Sequence, residues 1–239
     1  MKIGLISDIH GNLEALQSVL QAFERYEPDL LVCLGDIVGY GADPNACVDL
    51  CFERSDILVR GNHDDAVASE LFRVSMNAMA LEAARWTLEQ LTDVNLQRLA
   101  MLPMIAEHDH LLFVHASPNC PDHWSYMHGW DDTGRQFDAF TQRVCCIGHS
   151  HIPGIQSPGS ELSVGENWIA LARDDRYIIN VGSVGQPRDG NTRACAACFD
   201  TETWNVNILR VPYDITAAAD KIRRAGLPEY LAQRLNRGR

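Results

Sequence analysis

Five short segments of this 239-residue chain hold residue types that ligate transition-metal ions. They are Asp8-Ile9-His10, Gly35-Asp36, Gly61-Asn62-His63-Asp64, His115 and Gly148-His149-Ser150-His151. Asp64 set aside, they offer two carboxylates, one amide and four or five imidazoles. That mixed oxygen and nitrogen set suits Mn, Fe or Zn rather than Ca or an iron–sulfur cluster. Asp8 and His10 are two residues apart, as are His149 and His151. In extended segments each pair points the same way, and it serves either one ion or two adjacent ions. Asp36 stands alone, and a carboxylate has two oxygens with which to bridge two ions. Asn62 adds a neutral carbonyl oxygen. Gly35, Gly61 and Gly148 suit tight turns where backbone approaches a site closely. Any one of these motifs occurs by chance; their shared position after strands has no common structural reason other than a site.

The elements that position them follow from periodicity. Short apolar runs at Ile3 to Ser7, Leu30 to Leu34, Ile57 to Val59, Leu111 to Val114 and Val144 to Ile147 predict buried strands. Each is followed directly by one of the five segments. Asn12 predicts a cap for a helix in which Leu13, Leu16, Leu20 and Phe23 recur, ending before Pro28. Asp43-Pro44 predicts a second helix through Glu53. Helices are also predicted from Ser75 to Leu91, with a stripe of Met79, Ala83, Trp86 and Leu91, from Val94 to Met101, and near Phe137. After Pro153, β-like runs at Trp168 to Leu171, Tyr177 to Val181, Ala194 to Phe199 and Val206 to Val211 precede a C-terminal helix pair from Ile215. The expected class is α/β (α+β), with a mixed sheet or a two-sheet sandwich in one domain spanning residues 1–239. In open sheets with αβ connections, ligands collect at the carboxyl ends of the strands, which is where these segments lie.

Composition narrows the function classes. With 20 Lys plus Arg against 32 Asp plus Glu, the net charge is −12. Duplex binding relies on Lys and Arg neutralising phosphates, so a nucleic-acid groove is disfavoured. At 46% hydrophobic and 22% charged residues, the chain is neither disordered nor fibrous. No apolar run approaches the roughly 18 residues that span a bilayer, and Met1 to Leu5 leads straight into a strand pattern, so a cytoplasmic location is expected. The eight cysteines read as free thiols. Cys195-Ala-Ala-Cys198 lacks a second C-x-x-C partner and sits in a strand-like run, which favours a structural over a metal or redox role.

The five ordered blocks resemble the calcineurin-like metallophosphoesterases, over residue 3 to about 211, and the layout is closest to the small bacterial phosphodiesterases. The resemblance implies a four-layer α/β/β/α sandwich of two mixed sheets with a dinuclear metal site at the strand C-terminal ends. It implies Asp8, His10, Asp36 and His151 on the first metal, and Asp36, Asn62, His115 and His149 on the second. The cofactors implied are two divalent ions, Mn first, with Fe, Zn or Ni as alternatives, and the nucleophile a hydroxide bridging them. His63 is implied as catalytic acid or transition-state stabiliser. A carboxylate beside it would fix its tautomer and raise its pKa. The family pattern points to Asp64 for that role, with Asp65 as the nearby alternative.

Further residues are candidate substrate contacts. In Asn180-Val-Gly-Ser183-Val-Gly185-Gln-Pro-Arg188, Ser183, Gly185 or Arg188 is placed to meet phosphate, Arg being suited to bidentate contact; a plain turn-rich loop is the other reading. A similar stretch is familiar in small bacterial members, with Val181 replacing their usual proline. Tyr40 is placed to stack on a base or aryl group, or simply to pack. The loop from Asn119 to Trp130, rich in aromatics and histidines, either lines a leaving-group pocket or forms a packed lid. Protein Ser/Thr phosphatases and symmetrical diadenosine tetraphosphate hydrolases of the family carry Arg where this chain has Tyr40, which argues against both groups. The expected substrates are small-molecule phosphodiesters or nucleotide phosphoanhydrides. Dinucleoside polyphosphate hydrolysis and phosphomonoesterase activity are alternatives within the same chemistry, a non-catalytic protein-binding scaffold is the rival from another class, and oligomeric state is left open.

Overall fold

The structure, a computed structural model, describes residues 1–69, 76–127, 133–165 and 167–239. Two six-stranded mixed sheets form its centre. The first has the order β3-β2-β1-β11-β12-β9, built from β1 (Lys2–Ile6), β2 (Leu30–Cys33), β3 (Ile57–Leu58), β9 (Ile169–Ala170), β11 (Ala194–Asp200) and β12 (Asn205–Val211). The second has the order β4-β5-β6-β10-β7-β8, built from β4 (Ile105–His108), β5 (Leu111–Val114), β6 (Val144–Ile147), β7 (Gly154–Ser157), β8 (Ser160–Leu162) and β10 (Tyr177–Asn180). Each sheet has a parallel half. In the first, β1, β2 and β3 run parallel; in the second, β5, β6 and β10 do. The carboxyl ends of these two parallel triplets supply the candidate site.

Alternation along the strands shows how the layers stack. Ile3 and Leu5 of β1, Phe113 of β5, Ile179 of β10, and Cys195, Ala197 and Phe199 of β11 share the core between the sheets. The opposite faces carry the helices. Ile6, Ala194, Ala196 and Cys198 pack with α1 (Leu13–Phe23) and α2 (Pro44–Arg54), while Leu112, Val114, Cys145 and Ile178 pack around Phe137 of α6 (Thr133–Asp138). This is the α/β/β/α arrangement.

Asn12 caps α1 as expected, accepting from the Ala15 amide at 3.2 Å. Cys195 and Cys198, three apart on a strand, fall on opposite faces and into different core layers. All eight cysteines are free, and the C-x-x-C spacing assembles nothing.

Several expectations are corrected. A helix not anticipated from the sequence, α3 (Asn62–Ala68), begins at Asn62, and its polar first turn faces the site. Strands β4, β7 and β8 were not anticipated. β4 and β8 are largely exposed edge strands with little apolar patterning to reveal them, and β7 is only half buried. In α4 (Ala78–Gln90) the buried stripe is Ala80, Ala83, Ala84 and Thr87, so Met79 faces outward. The alanines let α4 approach α7 (Ile215–Arg224) and α8 (Glu229–Leu235), with which Ala80 and Ala83 share a cluster of small side chains around Tyr40. The helix α5 (Asp93–Ala100) lies where predicted. No helix among the described residues is long and apolar enough to cross a membrane.

Candidate metal centre

Asp8 and His10 follow β1, Asp36 follows β2, and Asn62 and His63 open α3 just after β3. His115 follows β5, and His149 and His151 follow β6. All are buried, and all converge. The chain reaches them through backbone of an uncommon kind: Asp8, His10, Asp36, His149 and His151 have φ between 51° and 65°, in the left-handed region. Such conformations cost on the order of 1 kcal/mol or more for a non-glycine residue and persist where surrounding structure enforces them. The two-residue spacing of each pair therefore reflects tight left-handed turns, not the extended geometry its sequence suggested.

Each carboxylate is divided between two tasks. Asp8 Oδ2 accepts from the His149 amide at 2.9 Å, leaving Oδ1 buried without a hydrogen-bond partner, 3.2 Å from His151 Nε2 and 3.8 Å from His10 Nε2. Asp36 Oδ1 accepts from the His63 amide at 2.7 Å, leaving Oδ2 3.3 Å from His115 Nε2 and 3.6 Å from His10 Nε2. One oxygen anchors the loop and the other faces the cluster.

The imidazoles are aimed in the same way. Nδ1 of His10, His115 and His151 donates to the carbonyls of Val38, Leu34 and Gln186, at 3.1, 2.8 and 2.5 Å. A carbonyl only accepts, so in each neutral ring Nδ1 holds the proton and Nε2 presents a lone pair. Yet His10 Nε2 and His151 Nε2 lie 3.1 Å apart, and His115 Nε2 lies 3.1 Å from Asn62 Oδ1. The lone pairs of His10 and His151 facing each other at that distance in a buried site call for a shared cation, while His115, when it carries both protons, donates to Asn62 Oδ1. His149 is turned the other way: Nε2 donates to the Trp124 carbonyl at 3.0 Å, which leaves Nδ1 for the cluster.

Electrostatics agree with that demand. Burial pulls the His115 imidazolium down, but the Asp36 and Asp8 carboxylates outweigh it and push its pKa up to about 10. Burial would raise Asp8, yet His151 and His115 hold it well below the usual carboxylate range. Among the described residues no Lys or Arg pairs with either carboxylate. Three ligand triads, Asp8-His10-His151, His10-Asp36-His63 and Asp36-His115-His149, each gather within 4.8 Å. Asp36 and His10 each belong to two of them, and of the two it is the carboxylate that has the chemistry to bridge ions. The residues present fit two adjacent divalent ions.

Glycines make the close approach possible. A Cβ at Gly148 would lie 2.0 Å from Ser7 Oγ and 2.4 Å from Asp8 Oδ2, and one at Gly61 would lie 2.2 Å from the Asp36 amide nitrogen. Gly148→Ala is therefore expected to cost about 1–3 kcal/mol by overpacking. At about 2–4 °C per kcal/mol for a chain of this size, thermal melts should show a Tm drop of several degrees.

The expected catalytic pair is only half assembled. His63 sits beside the cluster, its ring centroid 4.8 Å from that of His10, and burial lowers its pKa to about 4. Asp64 does not touch its imidazole. Its oxygens accept from the amides of Ile37 at 2.9 Å and Gly61 at 3.0 Å, and burial followed by the Asp36 charge raises its pKa to about 7. Asp65 is engaged by Arg60 at 3.1 Å. His63 Nδ1 has no hydrogen-bond partner and instead faces Gly39, where a Cβ would come within 2.4 Å. Packing against Gly39 and Tyr40, whose ring is 4.5 Å away, orients His63. Asp64 ties the loop after β2 to the start of α3.

The substrate candidates separate. Ser183 Oγ is fully buried, donates to the Asp8 carbonyl at 2.8 Å and accepts from the Gln186 amide at 2.8 Å, so it braces the Asp8 turn and is not free for phosphate. The Gly185 backbone also presses on this turn, for a Cβ there would lie 1.8 Å from the Ile9 carbonyl oxygen. Tyr40 is buried, wedged against His10, His63, Arg188 and Arg234, which agrees with the packing alternative and not with stacking on a base or aryl group. Arg188 lines a groove of about 500 Å³ with Tyr126, Met127, Ile152, Pro153 and Asn180, a volume suited to a small ligand. In the aromatic loop, Trp124 is buried near His115 and Tyr126 stacks on His149 with centroids 4.0 Å apart; His128 and Trp130 lie outside the described residues. Arg234, whose side chain reaches Tyr40 from α8, had no signal in the sequence because its helix is far from every motif.

Comparison with known proteins places this geometry. Residues 1–204 match the model of the calcineurin-like phosphoesterase superfamily domain. The chain belongs to the calcineurin-like phosphoesterase superfamily. It is 41% identical over 243 residues to the uncharacterized protein MJ0912 of Methanocaldococcus jannaschii, covering 99% of this chain and 98% of that one. The structure of a metallophosphoesterase from Sphaerobacter thermophilus superposes with a TM-score of 0.90 at 37% identity, covering 100% of this chain and 99% of its own. Phosphodiesterase YfcE of Escherichia coli is 26% identical over 210 residues, covering 87% of this chain and 92% of its own. This calcineurin-like phosphoesterase is thus a hydrolase of a divalent-metal-dependent family, with α7 and α8 lying beyond the matched residues.

Proposed function

We propose that the chain is a phosphodiesterase acting on small-molecule phosphodiesters or nucleotide phosphoanhydrides, with Asp8, His10, Asp36 and His151 holding one divalent ion and Asp36, Asn62, His115 and His149 a second. The carrying observation is the division of Asp36, which belongs to two ligand triads while its other oxygen is fixed by the His63 amide. Two ions held there supply positive charge for the phosphate and lower the pKa of a coordinated water. The chain's own groups do the rest. The Nδ1–H donors on His10, His115 and His151 fix which nitrogen faces the ions. His63, neutral and unligated in this assignment, stabilises the phosphoryl group or donates to the leaving oxygen. The groove lined by Tyr126 and Arg188 accepts the leaving group. Mn²⁺ is the first choice of metal because the ligand set mixes carboxylate, amide and imidazole.

Tyr40 supports the diesterase reading over protein phosphatase or symmetrical tetraphosphatase chemistry, since a buried tyrosine stands at the position where those groups carry Arg. The scaffold reading predicts lost ligands, whereas every expected ligand reaches the cluster. Purified protein is expected to hydrolyse bis-p-nitrophenyl phosphate with added Mn²⁺ and to lose that activity in EDTA. A metal-loaded preparation inert toward diesters, monoesters and dinucleoside polyphosphates would favour the scaffold.

A further inference from the structure

Four arginines in this acidic chain are seen paired with carboxylates: Arg60 with Asp65, Arg98 with Asp49, Arg210 with Asp189, and Arg223 with Asp220 and Glu229. Arg188 and Arg234 are not among these: neither pairs with an Asp or Glu side chain among the described residues, although the chain carries a surplus of them. Arg188 donates from Nη2 to Gln186 Oε1 at 3.1 Å and keeps Nε buried without a partner. Arg234 donates from Nε to the Arg239 carbonyl, which leaves both Nη groups for another acceptor. Both guanidinium carbons lie 5.9 Å from the centroid of the Tyr40 ring. That ring in turn stands 4.5 Å from His63 and 4.7 Å from His10, at the wall of the metal centre. Like charges gathered without an acid partner are unfavourable unless an anion joins them. Burial and the neighbouring Arg188 charge both work against the Arg234 cation, in keeping with that strain.

We propose that Arg188 and Arg234 form a two-arginine clamp around Tyr40 that binds a second phosphoryl group adjacent to the one being cleaved, so that diphosphate diesters are preferred over simple diesters. The proposal rests on the phosphodiesterase reading above and extends it to substrate class. Charge matching carries it: a simple diester bears one negative charge, which the metal ions already face. Two further guanidinium groups match a substrate with at least one more phosphoryl group. Arginine forks bind phosphate oxygens bidentately, which gives the clamp geometric as well as electrostatic selectivity. Arg234 comes from α8, beyond the residues that match the family model, so the clamp is an addition made by the C-terminal helix pair. That pair is fastened to the starts of α1 and α2 by Lys221 of α7, which bridges Glu14 at 2.5 Å and Asp43 at 2.7 Å.

The test compares bis-p-nitrophenyl diphosphate with bis-p-nitrophenyl phosphate, which share leaving groups and differ by one phosphoryl unit. In the Mn²⁺-loaded full chain, Arg234→Ala is expected to lower the ratio of kcat/KM for the diphosphate over that for the monophosphate by about 10–100-fold, the loss of one charged hydrogen-bonding group. Arg234→Lys, which keeps charge but not the fork, should recover only part of the ratio. Binding of bis-p-nitrophenyl diphosphate to EDTA-stripped protein, measured by calorimetry, should weaken at least about 10-fold in Arg234→Ala. Circular dichroism and melting temperature report whether each variant is folded. Should Arg234→Ala not fold, Arg234→Lys and Arg188→Lys carry the comparison. An unchanged ratio in folded variants, or unchanged metal-free binding, would overturn the clamp. Wild-type protein that turns over neither ester would defeat the catalytic reading instead, and the metal-free titration would still decide the clamp.

Discussion

Asp36→Asn is expected to abolish the dinuclear centre. Asp36 contributes to two ligand triads through one free oxygen, which lies 3.3 Å from His115 and 3.6 Å from His10. The amide has the same shape but no charge, so it holds cations poorly and cannot bridge them as a carboxylate does. Bound Mn²⁺ should fall from two per chain to one or fewer, and diester hydrolysis by on the order of 1,000-fold or more, equivalent to about 4 kcal/mol of lost transition-state stabilisation. The metal-free protein should also lose some stability, because Asp36 is the charge that most raises the buried His115 imidazolium. Mn²⁺ raises the melting temperature of the wild type by mass action on the folded state, and that rise should vanish in the variant. Elemental analysis and thermal melts with and without Mn²⁺ check both points; two retained ions would mean that Asp36 does not bridge.

His63→Ala separates chemistry from metal binding. Its Nδ1 has no hydrogen-bond partner, its backbone amide anchors Asp36 Oδ1, and its ring packs on Tyr40 and His10. Because the anchor is backbone, truncating the side chain should leave Asp36 in place. The expected outcome is a fall in kcat of about 100- to 10,000-fold with metal content still at two per chain. The geometry also allows a different result, since His63 joins His10 and Asp36 in a triad within 4.8 Å. Loss of an ion in His63→Ala would make it a ligand. Asp64→Ala should act differently again: its carboxylate holds the Ile37 and Gly61 amides, so its loss should loosen the loops after β2 and β3 and lower stability along with activity.

These residues also mark how far the sequence could be read. The five motif segments were visible because each follows an apolar strand run, and the parallel triplets β1-β2-β3 and β5-β6-β10 bring them to one place. The sandwich followed from the same runs together with the family resemblance. What was hidden depended on backbone conformation and on contacts between distant segments. The left-handed φ of Asp8 and His149 cannot be read from a two-residue spacing, and Asp-x-His looks extended until the turn is seen. Asp64 beside His63 in sequence suggested contact, but adjacent positions on a helix point apart, and Asp64 turns to the backbone of the β2 loop. Ser183 resembled a phosphate contact until its hydroxyl proved to brace the Asp8 carbonyl. Arg234 lies nearly two hundred residues from Tyr40 and in no motif, so only the docking of α8 reveals it. Exposed edge strands such as β4 escaped because solvent-facing edges need no alternation.

The central claim is a two-ion phosphodiester hydrolase, and one titration tests it most directly. Metal-stripped protein at a concentration well above its metal dissociation constants is titrated with Mn²⁺ while the initial rate of bis-p-nitrophenyl phosphate hydrolysis is followed. The rate is predicted to reach its plateau at two Mn²⁺ per chain. A plateau at one ion per chain, or no hydrolysis at any ratio, would contradict the account.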